Sequence, residues 1–214
     1  MELVSLTASC CRCARPVGSD GTCPTHGPVP ALWRRAAGSE ASYDDFAAVL
    51  RRSDDLPVLV PWPMSAGWTV ADFGVVATED EHALATVAAV SGTSSLDGEV
   101  GLSLVVEEPR VGLGGRCSGT GELDPGEWVG AGPPAVRVQV ERRSVALWPA
   151  ASSDADDVLA RSVFVGEYAG RWLWLVVTPA SAALLLRDDW LLADASGFGP
   201  EAVEMSFGGA PADW

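Results

Sequence analysis

The stretch Val100-Gly101-Leu102-Ser103-Leu104-Val105-Val106 carries apolar residues at 100, 102, 104 and 106. Side chains of an extended chain alternate between two faces, so this period of two describes a strand with one face in a core. Val136-Arg137-Val138-Gln139-Val140 repeats the pattern with polar residues between the valines. Two such strands need an antiparallel sheet with a covered face.

Working outward, residues 68–78, 84–91 and 145–148 are less regular strand candidates, the first two joined by the acidic turn at Glu79-Asp80-Glu81. Residues 162–167 and 171–178 read as a hairpin turning at Ala169-Gly170, and the second of them is apolar on both faces, which predicts a central position. A helix is predicted after Ser42, a good N-cap with Asp45 three residues on; Phe46, Val49 and Leu50 form its apolar stripe, Arg51 and Arg52 sit at its end, and Pro57 prevents continuation. A second helix is expected from Pro179 to about residue 195, on the spacing of Leu184, Leu185, Leu191 and Leu192. The Gly- and Pro-rich residues 196–214 read as loop or frayed tail. The fold class is therefore α+β: a small N-terminal zinc-knuckle module at 1–38, a mainly antiparallel sheet domain with a few packed helices at 39–195, and the tail.

The chain has 214 residues, 14 basic against 29 acidic, for a formal charge of -15. That field repels phosphate backbones and anionic membranes, so general nucleic-acid or lipid-surface binding is not expected. All the basic residues are Arg, which excludes P-loop, Schiff-base and kinase-type lysine chemistry. The apolar residues 172–186 are too few, and too interrupted by Thr178-Pro179, to cross a hydrocarbon core of about 30 Å. Thr7-Ala8-Ser9-Cys10 faintly resembles a lipoprotein cleavage box, but Glu2 and a short apolar start argue against export. Five cysteines, four of them crowded between 10 and 23, do not form a secreted disulfide framework, and a reducing cytoplasm is expected.

Those cysteines carry the chemistry. Cys10-x2-Cys13 and Cys23-x2-His26 are two short pairs of the kind that close a tetrahedron around zinc from opposite sides. Pro24 and Gly27 suit a tight knuckle, and residues 18–21 suit the connecting turn. Cys11 is the spare thiol, able to replace Cys10. Four protein ligands leave no open position, so the site is structural rather than catalytic. Residues 1–38 hold Arg12, Arg15, Arg34 and Arg35 against Glu2 and Asp20, a local charge of +2 that leaves -17 for the remainder. The head is thus suited to an acidic partner or to its own acidic body.

Other constellations are weaker. Trp62 and Trp68 flank Pro63 and Gly67, while Trp172 and Trp174 share one strand face, and together they could line a groove for flat ligands or peptides. In Val111-Gly112-Leu113-Gly114-Gly115-Arg116, the amides around Gly112 and Gly114 with the charge of Arg116 could cradle an anion. The dinucleotide fingerprint is not met, because Cys117 stands where a third glycine belongs and no helix is expected to follow; a strand-turn or bulge is the plainer reading. Cys117 with His82 is the remaining nucleophile-base pair. Glu107 and Glu108, adjacent on a strand, point to opposite faces, and Asp154, Asp156 and Asp157 form a solvated acidic run.

Together, the Cys-x2-Cys and Cys-x2-His-Gly head, Pro61-Trp62-Pro63 with Gly67-Trp68, Val111-Gly112-Leu113-Gly114 with Arg116, and Gly166-Glu167 with Gly170 and Trp172-Leu173-Trp174 resemble an actinobacterial family of unknown function. The resemblance implies a cytoplasmic protein with a zinc-ribbon-like head and brings no activity. The expected function is a non-enzymatic adaptor or regulatory module holding structural zinc and recognising a protein partner. The alternatives are a small-ligand binder using the glycine loop and tryptophan groove, or an enzyme using Cys117 and His82.

Overall fold

A computed structural model describes residues 6–36, 38–152, 161–187, 190–209, 212 and 214; the acidic run at 154–157 lies outside them. In chain order the elements are β1 (Leu6–Cys10), β2 (Thr22–Cys23), β3 (Gly27–Pro28), β4 (Ala31–Arg35), α1 (Tyr43–Arg52), β5 (Leu59–Pro61), β6 (Thr69–Ala77), β7 (Ala83–Ser94), β8 (Gly98–Glu107), α2 (Leu113–Ser118), β9 (Val136–Val140), β10 (Arg143–Ser152), β11 (Ser162–Tyr168), β12 (Arg171–Thr178) and β13 (Leu191–Asp194). Eleven strands form one sheet in the order β1-β4-β6-β7-β8-β12-β11-β10-β9-β13-β5, and β2 pairs with β3 apart from it. All pairings are antiparallel except β9 with β13. The α+β class with a mainly antiparallel sheet is as the strand periodicities predict.

The hairpin of β11 and β12 turns at Ala169 and Gly170, both at positive φ, the conformation that matches a two-residue turn to the strand twist. Its second strand, β12, lies between β8 and β11, in the interior of the sheet. Because β5, at the far end of the strand order, also packs on β7 and β8, the sheet curls over and encloses its first core. Val100, Leu102, Leu104 and Val106 project into that core with Val138, Val140 and Leu173. Val105, Trp174, Val87 and Leu32 project from the opposite face into a second core, which also contains Cys10, Cys11, Cys23 and Cys117.

Helix α1 starts where expected. Ser42 is its N-cap, Oγ accepting from Asp45 N at 3.2 Å, and Phe46 docks edge-on against Phe73 with ring centroids 5.1 Å apart. The helix expected from Pro179 to about 195 does not form. Residues Ala180–Arg187 make a 3-10 helix, and the chain then extends as β13 between β9 and β5. Backbone pairing on two sides outweighs the helical spacing of the leucines, and Asp194 secures the strand end by accepting from Val58 N at 3.0 Å. The tail also differs from its reading as frayed. Phe207 packs on Phe46 and Phe73, Met205 is buried, and Val70 N donates to Ser206 O at 2.8 Å.

The strands on either side of the knuckle belong to the main sheet: β1 pairs with β4, and β4 with β6. The knuckle is therefore an excursion between the edge strand β1 and its neighbour β4, laid over the second face of the sheet.

Candidate metal centre

Cys10 ends β1, and its amide closes a turn by donating to Arg15 O at 2.8 Å. A second turn through residues 18–21 leads into the β2–β3 hairpin, where Cys23 pairs with Gly27, the latter at φ 69°. This brings Cys10, Cys13, Cys23 and His26 together with their ligand atoms all within 4.8 Å of one another. Cys10 Sγ lies 3.4 Å from His26 Nδ1, Cys23 Sγ lies 3.7 Å from the same nitrogen, and the sulfurs of Cys13 and Cys23 are 3.7 Å apart. A tetrahedral ion bound to sulfur at about 2.3 Å and to imidazole nitrogen at about 2.0–2.1 Å would space its donors about 3.5–3.8 Å apart. The donor set and its spacing fit a metal ion.

Two backbone amides point at the sulfurs. Arg12 N donates to Cys10 Sγ and Thr25 N to Cys23 Sγ, both at 3.4 Å, and such bonds favour thiolates. Burial works to raise the Cys23 pKa, but amide donation from Thr25 and His26, with the His26 and Cys10 side chains, outweighs it and brings the thiol down to about 6. Burial pushes Cys10 up to about 11, against the amide of Arg12 and with the neighbouring Cys23 and Cys13 thiols adding to the rise. Without a cation, one thiol ionises at the expense of the next; a dication at the centre would hold all of them as thiolates.

Cys11 is placed elsewhere. Its thiol is fully buried, pushed up to about 12 mainly by that burial, and donates to Val111 O at 3.7 Å. Arg12 donates to the carbonyls of Val111 and Arg110, each at 3.1 Å, and Arg116 Nη1 donates to Cys10 O at 2.7 Å. These bonds dock the knuckle on the loop before α2. Arg34 and Arg35 both pair with the buried Asp72, and Arg35 also donates to Ala71 O. Three of the four head arginines are thus engaged with the body.

The glycine-rich segment does not form the expected strand-turn: residues 113–118 are α2. Its first amides, Leu113 N and Gly114 N, donate to Glu107 Oε2 at 2.8 and 3.2 Å. The anion in this cradle is the chain's own buried carboxylate. Gly112 takes φ 87° at the helix start, Gly114 lies where a Cβ would enter the Trp174 ring, and Gly115 where one would enter the Glu122 carbonyl. Burial raises Glu107 to about 7, although the amides of Gly114 and Leu113 and the Trp174 indole work to lower it. Sequence reasoning missed this role; the available signal was a strand-end glutamate followed five residues later by the start of a glycine-rich run.

The four tryptophans divide between the faces. Trp62 and Trp68 pack on the first core and, with Trp190, line a cavity of about 430 Å³, the rings of Trp68 and Trp190 meeting edge to face at 5.9 Å. Trp172 and Trp174 pack on the second core, where Trp172 Nε1 donates to Asp124 at 3.1 Å. Cys117 is fully buried and pushed up by that burial, whereas His82 is exposed in the β6–β7 turn. Glu108 is half-exposed on the face opposite Glu107 and pairs with Arg171 at 3.8 Å.

Fold and site together define an α+β protein with a closed Cys3His cluster in the connection from β1 to β4. The chain belongs to DUF6758, a family of unknown function, and matches it over residues 4–214. No curated protein and no solved structure matches it. No helix among the described residues is long and apolar enough to cross a membrane.

Proposed function

We propose that the chain is a cytoplasmic, non-enzymatic zinc protein, an adaptor or regulatory module in which Cys10, Cys13, Cys23 and His26 hold one structural zinc ion and the acidic body recognises a protein partner. The observation that carries the zinc assignment is the convergence of three sulfurs and an imidazole nitrogen within 4.8 Å of one another, with three of the pairs at 3.4–3.7 Å. Four protein donors fill a tetrahedron, leaving no position for water or substrate. Zinc would supply the cross-link that the 20-residue excursion from Cys11 to Pro30, with little apolar content, lacks. The adaptor reading is supported by the commitment of reactive groups to structure: Cys117 is a buried residue of α2, Glu107 caps that helix, and Asp72 neutralises two arginines.

Metal analysis of the purified chain should find close to one zinc per molecule. Cys13→Ser and Cys23→Ser should abolish it, and Cys11→Ser should retain it. A folded, metal-free wild-type protein refutes the zinc assignment. For the adaptor role, capture from native lysate should recover a reproducible protein that Cys23→Ser no longer retains, and substrate turnover lost in Cys117→Ser would instead establish an enzyme.

A further inference from the structure

The face of an indole ring attracts a cation, and this chain uses that contact with its own arginines. Arg52 lies over Trp33, 4.5 Å from the ring centroid, and Arg34 and Arg116 lie over Trp214 at 4.3 and 4.9 Å. Trp62, Trp68 and Trp190 gather instead around the cavity of about 430 Å³ beside the first core, and no described arginine lies over any of them.

The three rings are held in place by the fold. Gly92 of β7 lets Trp68 lie flat on the strand: a Cβ there would stand 2.5–2.6 Å from three atoms of the five-membered ring, over its face. Trp190 Nε1 donates to Leu185 O at 2.8 Å, and its ring stands at 79° to that of Trp68, with centroids 5.9 Å apart. Phe198 packs on Trp62 at 4.6 Å, and Trp62 N donates to Leu191 O at 2.9 Å. Two indole walls therefore adjoin almost at a right angle, with Trp62 on the same cavity, and all three side chains remain partly exposed. Walls fixed in this way spare a ligand the cost of ordering them.

Electrostatics select the sign of the occupant. No described residue lining the cavity is basic, and its side-chain polar groups are the hydroxyls of Ser65, Thr93 and Ser94 and the indole N–H groups. Ser94 Oγ donates to the carboxylate of Asp97 at 3.1 Å, and the chain as a whole carries a charge of -15. Aromatic walls resist a strongly hydrated primary ammonium, whereas a quaternary ammonium spreads its charge over methyl groups that pack on indole faces. We propose that the cavity of Trp62, Trp68 and Trp190 binds a small quaternary ammonium ion that carries no carboxylate. A volume of about 430 Å³ takes such a molecule whole, and an anionic group on it would meet the charge of Asp97 with no basic side chain in the lining to pair with.

The test uses the full zinc-loaded chain and follows amide and indole N–H chemical shifts. The probes are choline, the neutral alcohol in which carbon replaces its nitrogen, glycine betaine, and a short peptide bearing one trimethyllysine. Choline should bind saturably, with shifts centred on Trp62, Trp68 and Trp190, about fivefold or more tighter than the neutral alcohol or betaine, and tighter than the peptide. Trp190→Leu removes one wall and should weaken choline about tenfold. Thr93→Arg puts a cation of the chain's own on the cavity wall; it should weaken choline about tenfold and leave the neutral alcohol unchanged. Retained zinc and an unchanged melting temperature certify each variant's fold, and Thr93→Arg, at an exposed position, carries the test if Trp190→Leu misfolds. Absence of saturable choline binding, equal affinity for the neutral alcohol, affinity unchanged in the variants that fold, preference for betaine or the peptide, or shifts centred on Gly101 and Ser103 would each overturn the proposal.

Discussion

Replacing Glu107 by Gln should remove a pH dependence of stability that this one residue imposes. Its carboxyl is fully buried, with Oε2 accepting from Leu113 N and Gly114 N. Burial sets the folded pKa at about 7, against an ordinary value of 4.5. Between those values the folded chain keeps the proton and the unfolded chain has released it, so stability falls as pH rises and levels off above 7. The interval is about 2.5 pH units at about 1.4 kcal/mol each, so the wild type should lose about 3 kcal/mol from this group between pH 4.5 and 8. Glutamine does not titrate, and its carbonyl can still accept from the α2 amides.

Urea unfolding of both proteins at pH 5, 6, 7 and 8, with zinc present, measures the effect. Every other ionisable group is common to both proteins, so the difference between the curves isolates Glu107. Any constant offset caused by the new amide leaves the slope of that difference intact. A difference that falls by about 3 kcal/mol from acid to neutral pH supports the buried-carboxylate reading. Two parallel curves refute it, and would mean that Glu107 is solvated or paired.

Asp72→Ala should destabilise the fold by about 3 kcal/mol in urea unfolding, because Arg34 and Arg35 lose their common counter-charge and Arg35 is only 6% exposed; Asp72→Asn should cost less, since it keeps an acceptor for Phe73 N. An unchanged midpoint in Asp72→Ala would show the pair to be solvated. Phe207→Ala should cost about 2 kcal/mol, below the range for fully buried phenylalanine because the side chain is only partly enclosed against Phe46 and Phe73. A melting temperature unchanged by this substitution would return residues 205–209 to a frayed tail.

The parts legible in the sequence are those governed by neighbours along the chain. The period of two in 100–106 and 136–140 predicts β8 and β9, and the Ser42 cap with its stripe predicts α1. The Cys10-x2-Cys13 and Cys23-x2-His26 pairs name the cluster because each pair spans a single turn, whose geometry the local chain already sets. The role of Cys11 was open, since adjacent thiols have equal local claims; Val111 O, a hundred residues away, decides it.

What only the tertiary structure decided depends on distant partners. The glycine run became α2 because a carboxylate from the end of β8 meets its first amides, and residues 191–194 became a strand because β9 and β5 offer pairing on both sides. The tryptophans that a linear reading joins in one groove are separated by the thickness of a sheet. The head's positive charge, clear from composition, is turned inward on Asp72 and the loop before α2. Periodicity and knuckle spacing record the energetics of short loops; burial, counter-charge and strand pairing are contributed by residues that only the folded chain brings within reach.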